Sequence, residues 1–189
     1  TDNYAGNHGA GFHCEWGSPV IRDCVFVGND GGSGAAIWAE GESDLLVAGC
    51  EIHLNTAGGM GGGIAIDMMA TATVRDCSIH DNIAESGGGI SISAASCLIS
   101  DCTINGNHAT FGGGVSVMSG PDVIIANTEI SENETVNSGG GVYASDSSLT
   151  LEDCGVMSNS TEGYGGAIYL LNSEATLERS SIIGNSAAI

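Results

Sequence analysis

Lysine is absent from this chain, and positive charge of any kind is scarce. Its 189 residues include three arginines, Arg22, Arg75 and Arg179, against 23 acidic residues, which gives a net charge of −20. Nucleic acids and anionic lipids require a basic surface, so this charge excludes both as partners. A strongly acidic surface suits a soluble protein that faces solvent, and we predict an extracellular or cell-surface location.

Proline, aromatic residues and long apolar runs are also scarce. There are two prolines, aromatics make up 5% of the chain, and no run of about 18 apolar residues occurs. We therefore predict no direct insertion into a membrane. Glycine is abundant, with 31 residues, but it follows neither a collagen period nor a low-complexity pattern.

The glycines belong to a repeat of about 26 residues. The segment Gly61–Asn82 reads GGGIAIDMMATATVRDCSIHDN, and Gly87–Asn107 reads GGGISISAASCLISDCTINGN. The asparagine that ends each repeat recurs at intervals of 26, 26, 27, 25, 26, 26 and 26 residues, at Asn3, Asn29, Asn55, Asn82, Asn107, Asn133, Asn159 and Asn185. One uninterrupted array predicts a single domain over residues 1–189, and we expect it to be a segment of a longer protein.

Each repeat contains three short runs in which apolar and polar residues alternate. In one repeat they are Gly63–Asp67, Thr71–Arg75 and Cys77–Ile79. A period of two indicates β-strands, and glycine triplets exclude a two-helix repeat of this length. We predict an all-β fold, a single-stranded right-handed parallel β-helix of about seven coils with three short strands per coil. Rungs about 4.8 Å apart would make a rod roughly 34 Å long.

Two columns of this β-helix are predicted to be structural. The asparagines form an internal ladder at one corner, where each amide bonds its own coil and the next asparagine. A second inward column contains Cys24, Cys50, Cys77, Cys102 and Cys154, with Thr128 and Ser180 in the same position. We favour free thiols acting as small apolar groups, although Cys24–Cys50 or Cys77–Cys102 could form a disulfide between neighbouring rungs.

The repeat resembles a known family of surface proteins. Gly165-Gly166-Ala167-Ile168, with Ile182-x-x-Asn185 and Phe26-x-x-Asn29, is similar to the paired GGA[ILV] and FxxN motifs of chlamydial polymorphic outer membrane proteins. That resemblance implies a right-handed parallel β-helix and suggests surface display and adhesion. It carries no catalytic residue to this chain, because the family's motifs are architectural, and here Ile usually replaces Phe and GGG usually replaces GGA.

One outward column of the first run is the strongest candidate for a site. Glu15, Glu40 and Asp67 follow one another on consecutive rungs, beside Trp38 and His13. Carboxylates about 5 Å apart could act as a catalytic pair in glycoside hydrolysis or share a Ca²⁺ ion, and Trp38 could stack on a sugar ring. The alternative is that these acids are only solvated surface residues.

A second pair of outward side chains, His53 and His80, also lies on neighbouring rungs. Two imidazoles could ligate a transition metal or could simply be solvated.

We predict a non-enzymatic extracellular β-solenoid, a rigid structural or adhesive element. Its expected partners are other copies of itself stacked end to end, or a glycan or protein surface of a host or matrix. We expect no cofactor, with Ca²⁺ at the acidic column as the alternative. The competing hypothesis is a carbohydrate-binding or polysaccharide-degrading β-helix that uses the acidic column.

Overall fold

The computed structural model describes all 189 residues, and they form only strands and turns. The chain winds through seven coils, which we number by their strands in the first sheet. No helix is present, so none is long and apolar enough to cross a membrane.

Three seven-stranded sheets run the length of the molecule. The first sheet contains Phe12–Glu15, Ile37–Glu40, Ile64–Asp67, Ile90–Ser93, Val115–Met118, Val142–Ser145 and Ile168–Leu171. The second contains Val20–Arg22, Asp44–Ala48, Thr71–Arg75, Ser96–Ser100, Val123–Ala126, Ser148–Glu152 and Glu174–Glu178. The third contains Val25–Val27, Glu51–His53, Ser78–His80, Thr103–Asn105, Glu129–Ser131, Gly155–Met157 and Ser181–Ile183.

All strand pairs are parallel, and they join equivalent positions of successive coils. Ile64, for example, pairs with Ile37 on one side and Ile90 on the other. This register stacks each inward side chain on its counterparts above and below. One continuous cluster of 33 buried apolar residues therefore runs along the axis. The predicted parallel β-helix is confirmed.

The asparagine ladder is also confirmed. Asn107 is fully buried and donates from Nδ2 to Asn133 Oδ1 at 3.0 Å and to the backbone carbonyl of Ile79 at 3.0 Å. Its own Oδ1 accepts from both the backbone N–H and the side-chain amide of Asn82, each at 3.0 Å. The same amide-to-amide bond links every neighbouring pair from Asn3 to Asn185. The ladder satisfies polar groups at a buried corner that an apolar side chain would leave unpaired.

A fourth run of strands follows the asparagine, in addition to the three strands per coil that the repeat predicts. It forms one sheet from Tyr4–His8, Asp30–Ser33 and Thr56–Ala57, and another from His108–Phe111, Glu134–Ser138, Ser160–Thr161 and Ser186–Ala187. Isolated bridges through Ile83 and Ser86 connect the two. These runs are short and lack apolar alternation, so their sequence carries little strand signal.

Left-handed backbone conformations mark the corners. The residues immediately before the cysteine column share one such conformation, with φ between 46° and 55° at Asp23, Asp76, Asp101, Asn127 and Asp153. Asp and Asn tolerate this region because their short side chains bond the local backbone.

The glycine triplets serve a second corner. Gly87 has a φ of 65°, and a Cβ on Gly88 would lie 2.7 Å from the carbonyl oxygen of Gly113. Both predicted uses of these glycines, positive φ and close backbone approach, are therefore present.

The last coil is less covered than the coils inside the array. Its inward side chains Leu170, Leu177 and Ile182 are 40%, 44% and 45% exposed. Their counterparts one coil earlier are fully buried: Ala144, Leu151 and Val156.

Candidate functional site

The fourth run changes the surroundings of the candidate site. It lies over the outward side of the first sheet, where Ser86 Oγ donates to Ser116 Oγ at 2.8 Å and Phe111 packs on Tyr143 with ring centroids 5.2 Å apart. Ala65, Ser91 and Ser116, which share the outward column of Trp38, are therefore buried. The outward side of the first sheet is open to solvent only near the two ends of the sheet.

Trp38 belongs to the covered part of that column. Its ring stacks on His8 with centroids 4.3 Å apart, and only 2% of the residue is exposed. Its Nε1–H has no hydrogen-bond partner. The expectation that Trp38 faces solvent, where it could stack on a sugar, is wrong, because the first strand of the fourth run lies over it.

Asp67 is buried as well, at 8% exposure. Its Oδ1 accepts a hydrogen bond from the backbone N–H of Met68 at 2.8 Å. Met68 and Met69 have φ values of 52° and 66°, so the carboxylate stabilises a left-handed corner. The predicted outward and accessible position of Asp67 is therefore not what the structure shows.

Glu15 and Glu40 occupy adjacent rungs, as their pairing in the first sheet requires. Each carboxylate has a different partner: Glu40 Oε1 lies 2.9 Å from His13 Nε2, and Glu15 Oε1 accepts from Trp16 Nε1 at 2.9 Å. The structure thus brings His13 and Glu40 together but does not make the three acids converge. No group of three or more His, Cys, Asp or Glu side chains is arranged to hold a metal ion.

The two outward histidines stack on each other. The rings of His53 and His80 lie 4.9 Å apart at 11°, and Glu51 Oε1 lies 3.9 Å from His53 Nε2 and 3.7 Å from His80 Nε2. Asp81 Oδ2 contacts His80 Nδ1 at 2.8 Å. The four side chains therefore form a partly exposed polar cluster on the outside of the third sheet, with no open cleft beside it.

An aromatic strip on coils four to seven is a feature that the sequence analysis missed. Tyr143 and Tyr169 stack with centroids 5.8 Å apart, and Phe111 and Tyr164 extend the row at 5.2 and 6.3 Å. Tyr164 is 51% exposed. The pair Tyr143 and Tyr169 was visible as one column, but Phe111 and Tyr164 come from the fourth run, whose course the repeat pattern did not reveal.

The small side chains of the cysteine column form hydrogen bonds to the backbone. All seven cysteines are free. Cys77 Sγ donates to the backbone carbonyl of Arg75 at 3.1 Å, and Thr128 Oγ1 makes the equivalent bond to Ala126 at 2.8 Å. Thr128 Oγ1 also accepts from the backbone N–H of Cys102 at 3.3 Å. The position therefore selects a small side chain that can donate and accept, which explains why Cys, Thr and Ser alternate there.

The buried thiols differ in acidity. The proximity of the two thiols lowers the pKa of Cys77 and raises the pKa of Cys102. Burial alone raises the pKa of Cys97, in a different inward position, to about 12. Both Cys77 and Cys102 are buried, so the pair is part of the core.

Comparison with known proteins supports the architecture. The family described as right handed beta helix region matches residues 1–96 and residues 61–189, which together span the whole chain. No curated protein and no solved structure gives a match. The family match agrees with the parallel coils, the absence of helix and the asparagine ladder. The chain belongs to the right-handed β-helix family.

Proposed function

We propose that this protein is a rigid, non-enzymatic structural or adhesive element of the extracellular space or the cell surface. The observation that carries the proposal is the unbroken asparagine ladder from Asn3 to Asn185, with parallel pairing in register along seven coils. A ladder of this kind resists bending, because each rung is bonded to its neighbours by both backbone and side chains. The outward columns supply no comparably ordered set of reactive groups.

The charge and the repeat motifs support surface display. A net charge of −20 without lysine keeps a rod soluble and unattached to polyanions. The GGA[ILV]-like and FxxN-like motifs resemble those of displayed chlamydial β-helices. Free cysteines are uncommon in oxidising compartments, so this location requires that burial protect them. Five of the seven, Cys50, Cys77, Cys97, Cys102 and Cys154, are buried in the core, whereas Cys14 is half-buried and Cys24 is exposed.

Stacking along the axis is part of the proposal. The exposed inward side chains Leu170, Leu177 and Ile182 form an apolar face edged by unpaired strand groups. Such an edge is stabilised when another rung covers it, whether from further coils or from a second copy.

Small-angle X-ray scattering tests the rod, and sedimentation velocity over a range of concentrations tests the stacking. We expect an elongated particle whose cross-section does not change with salt and whose length grows with concentration. A flexible or globular scattering profile would refute the rod. A constant monomer at high concentration would refute stacking by copies of this chain.

Carbohydrate binding is the second candidate, and the aromatic strip favours it. The rings of Tyr143, Tyr164 and Tyr169 offer apolar faces and hydroxyl groups to solvent along one side of the rod. A glycan panel with Tyr164→Ala should lose binding if this surface recognises sugars, whereas Glu40→Gln should lose binding or turnover if the acidic column does. No glycan-dependent binding and no turnover by the unmodified protein would remove this candidate.

A further inference from the structure

Two of the three arginines frame a cleft on the outer side of the second sheet. Arg22 and Arg75 both pair with Ala48 in the register of that sheet, so they lie two rungs apart with Ala48 between them. Two rungs correspond to roughly 10 Å between Cα atoms. Because Ala48 and Gly49 have little or no side chain, a cavity of about 170 Å³ remains there, lined by Arg22, Asp23, Ala48, Gly49, Arg75 and Asp76.

The arginines of this cleft have fewer ion-pair partners than the third arginine. Arg179 contacts Glu152, Asp153 and Glu178 at once, and the bond to Asp153 is the main cause of its raised pKa. Arg75 contacts only its neighbour Asp76, and its side chain is 40% exposed. Arg22 is exposed and makes no ion pair, although the chain has 23 acidic residues.

The lining specifies the chemistry of the ligand. Guanidinium groups bind carboxylate, phosphate and sulfate through parallel N–H donors. Two guanidiniums on opposite sides of one cleft suit a tetrahedral oxyanion, which presents acceptor oxygens in several directions, better than a planar carboxylate.

The two aspartates of the cleft restrict what can carry that anion. The carboxylate of Asp23 lies over Gly49, where a Cβ would be 2.5 Å from Asp23 Oδ1. With Asp76 it balances the two arginines, so the lining has no net charge and contains acceptors as well as donors. A polyanion would also be repelled by the net charge of −20. The favoured ligand therefore has one anionic group and neighbouring hydroxyl or ammonium donors.

We propose that the cleft between Arg22 and Arg75 is a binding site for a phosphate or sulfate monoester on an otherwise uncharged or cationic carrier. The oxyanion lies between the two guanidiniums above Ala48. Donors of the carrier bond Asp23 and Asp76. This site is separate from the acidic column and the aromatic strip, and it does not depend on the proposed structural role.

Isothermal titration with O-phosphoethanolamine, a sugar sulfate and inorganic phosphate tests the site in the whole chain. We expect saturable binding of a monoester, weakened at least about tenfold in Arg22→Gln and in Arg75→Gln, because each loses charge-assisted hydrogen bonds. The matched control is Arg179→Gln, which removes an exposed arginine already neutralised by its neighbours and should bind like the wild type. Absence of saturation, or equal weakening in all three variants, would overturn the proposal.

Two further variants distinguish recognition of the oxyanion from recognition of its carrier, and both should fold. Glu152 and Glu178 occupy the column of Ala48, so Ala48→Glu should fold, supply an internal carboxylate and abolish binding. Asn127 occupies the column of Asp23, so Asp23→Asn should also fold, and it should weaken the monoester more than inorganic phosphate. Unchanged binding in Ala48→Glu would refute the site, and equal effects on both ligands in Asp23→Asn would refute the role of the aspartate.

Discussion

In the third sheet, the inward column holds Ile52, Ile79, Ile104, Ile130 and Val156, whereas the outward column beside it holds His53, His80, Asn105, Ser131 and Met157. Every inward member is fully buried and stacks on a similar residue above and below. The outward members vary in chemistry along the column, from two histidines to Asn105, Ser131 and Met157. The difference arises because an inward position must match two neighbours in shape, while an outward position has solvent on one side. Columns of similar residues therefore stabilise the fold. Recognition of a specific ligand is expected where the residue type varies along a column.

The sharpest test of this contrast uses two asparagines of one coil. Asn107→Ala removes a buried amide together with its hydrogen bonds to the Ile79 carbonyl, Asn82 and Asn133, so it should destabilise the protein by about 4 kcal/mol. Asn105→Ala, in the outward column, should cost less than about 0.5 kcal/mol. Urea denaturation of both variants measures the difference, and equal losses would contradict the distinction between the columns.

Adjacent residues of a single strand give the next largest effect. Ile104→Ala should cost about 3 kcal/mol, because Ile104 is fully buried and its loss leaves a cavity in the core. Thr103→Ala, on the exposed side of the same strand, should change the stability by less than about 0.5 kcal/mol. The same denaturation experiment tests both variants. A small loss of stability in Ile104→Ala would mean that the coil repacks.

The pH dependence of stability tests an inward thiol. Burial raises the pKa of Cys97 from 9.0 to about 12, so the folded state keeps a proton that the unfolded state loses. The stability that this thiol provides is complete below pH 9 and is lost as the pH rises from 9 to 12, at up to about 1.4 kcal/mol per pH unit.

Cys97→Val should flatten that loss, since valine is apolar and Val123 occupies the same column one coil later. Ser100→Ala, on the outward side of the strand, should leave the profile as steep as in the wild type. Urea midpoints collected between pH 8 and pH 12 give the comparison. An identical slope in Cys97→Val would show that this thiol does not hold its proton in the folded state.

The smallest effect is expected for the surface ion-pair network. Arg179→Gln breaks exposed contacts to Glu152, Asp153 and Glu178, which water and salt screen. Its urea midpoint should shift least of all these variants, and the shift should vanish in high salt. A large shift that persists in high salt would place Arg179 among the structural residues.

Much of the fold was predictable because coils that stack in register need the same residue types at equivalent positions of every repeat. The recurrence from Asn3 to Asn185, the alternation around Ile64 and the left-handed corners at Asp23 and Asp76 all repeat in the structure. The fourth run was not predictable, because segments such as Asp30–Ser33 form their strands through pairing with the coils above and below rather than through local preference.

The candidate site was less predictable than the fold. Glu15 and Glu40 do lie on adjacent rungs, and His13 does reach Glu40. Periodicity assigns a side chain to the inside or the outside of a coil, but it does not say whether the outside is covered. Trp38 and Asp67 were placed outward for that reason, and the structure buries both.

The sequence by itself determined the period, the parallel coil, the asparagine ladder and the acidic surface, because these depend on residue type at fixed spacing. The tertiary structure alone decided which residues cover or flank the outward columns. It buried Trp38 beneath His8, aligned Tyr143 and Tyr169 with rings from the fourth run, and left Arg22 and Arg75 facing each other across Ala48. Those outcomes depend on how one coil folds over its neighbours, which is a relation between distant residues that no single repeat contains.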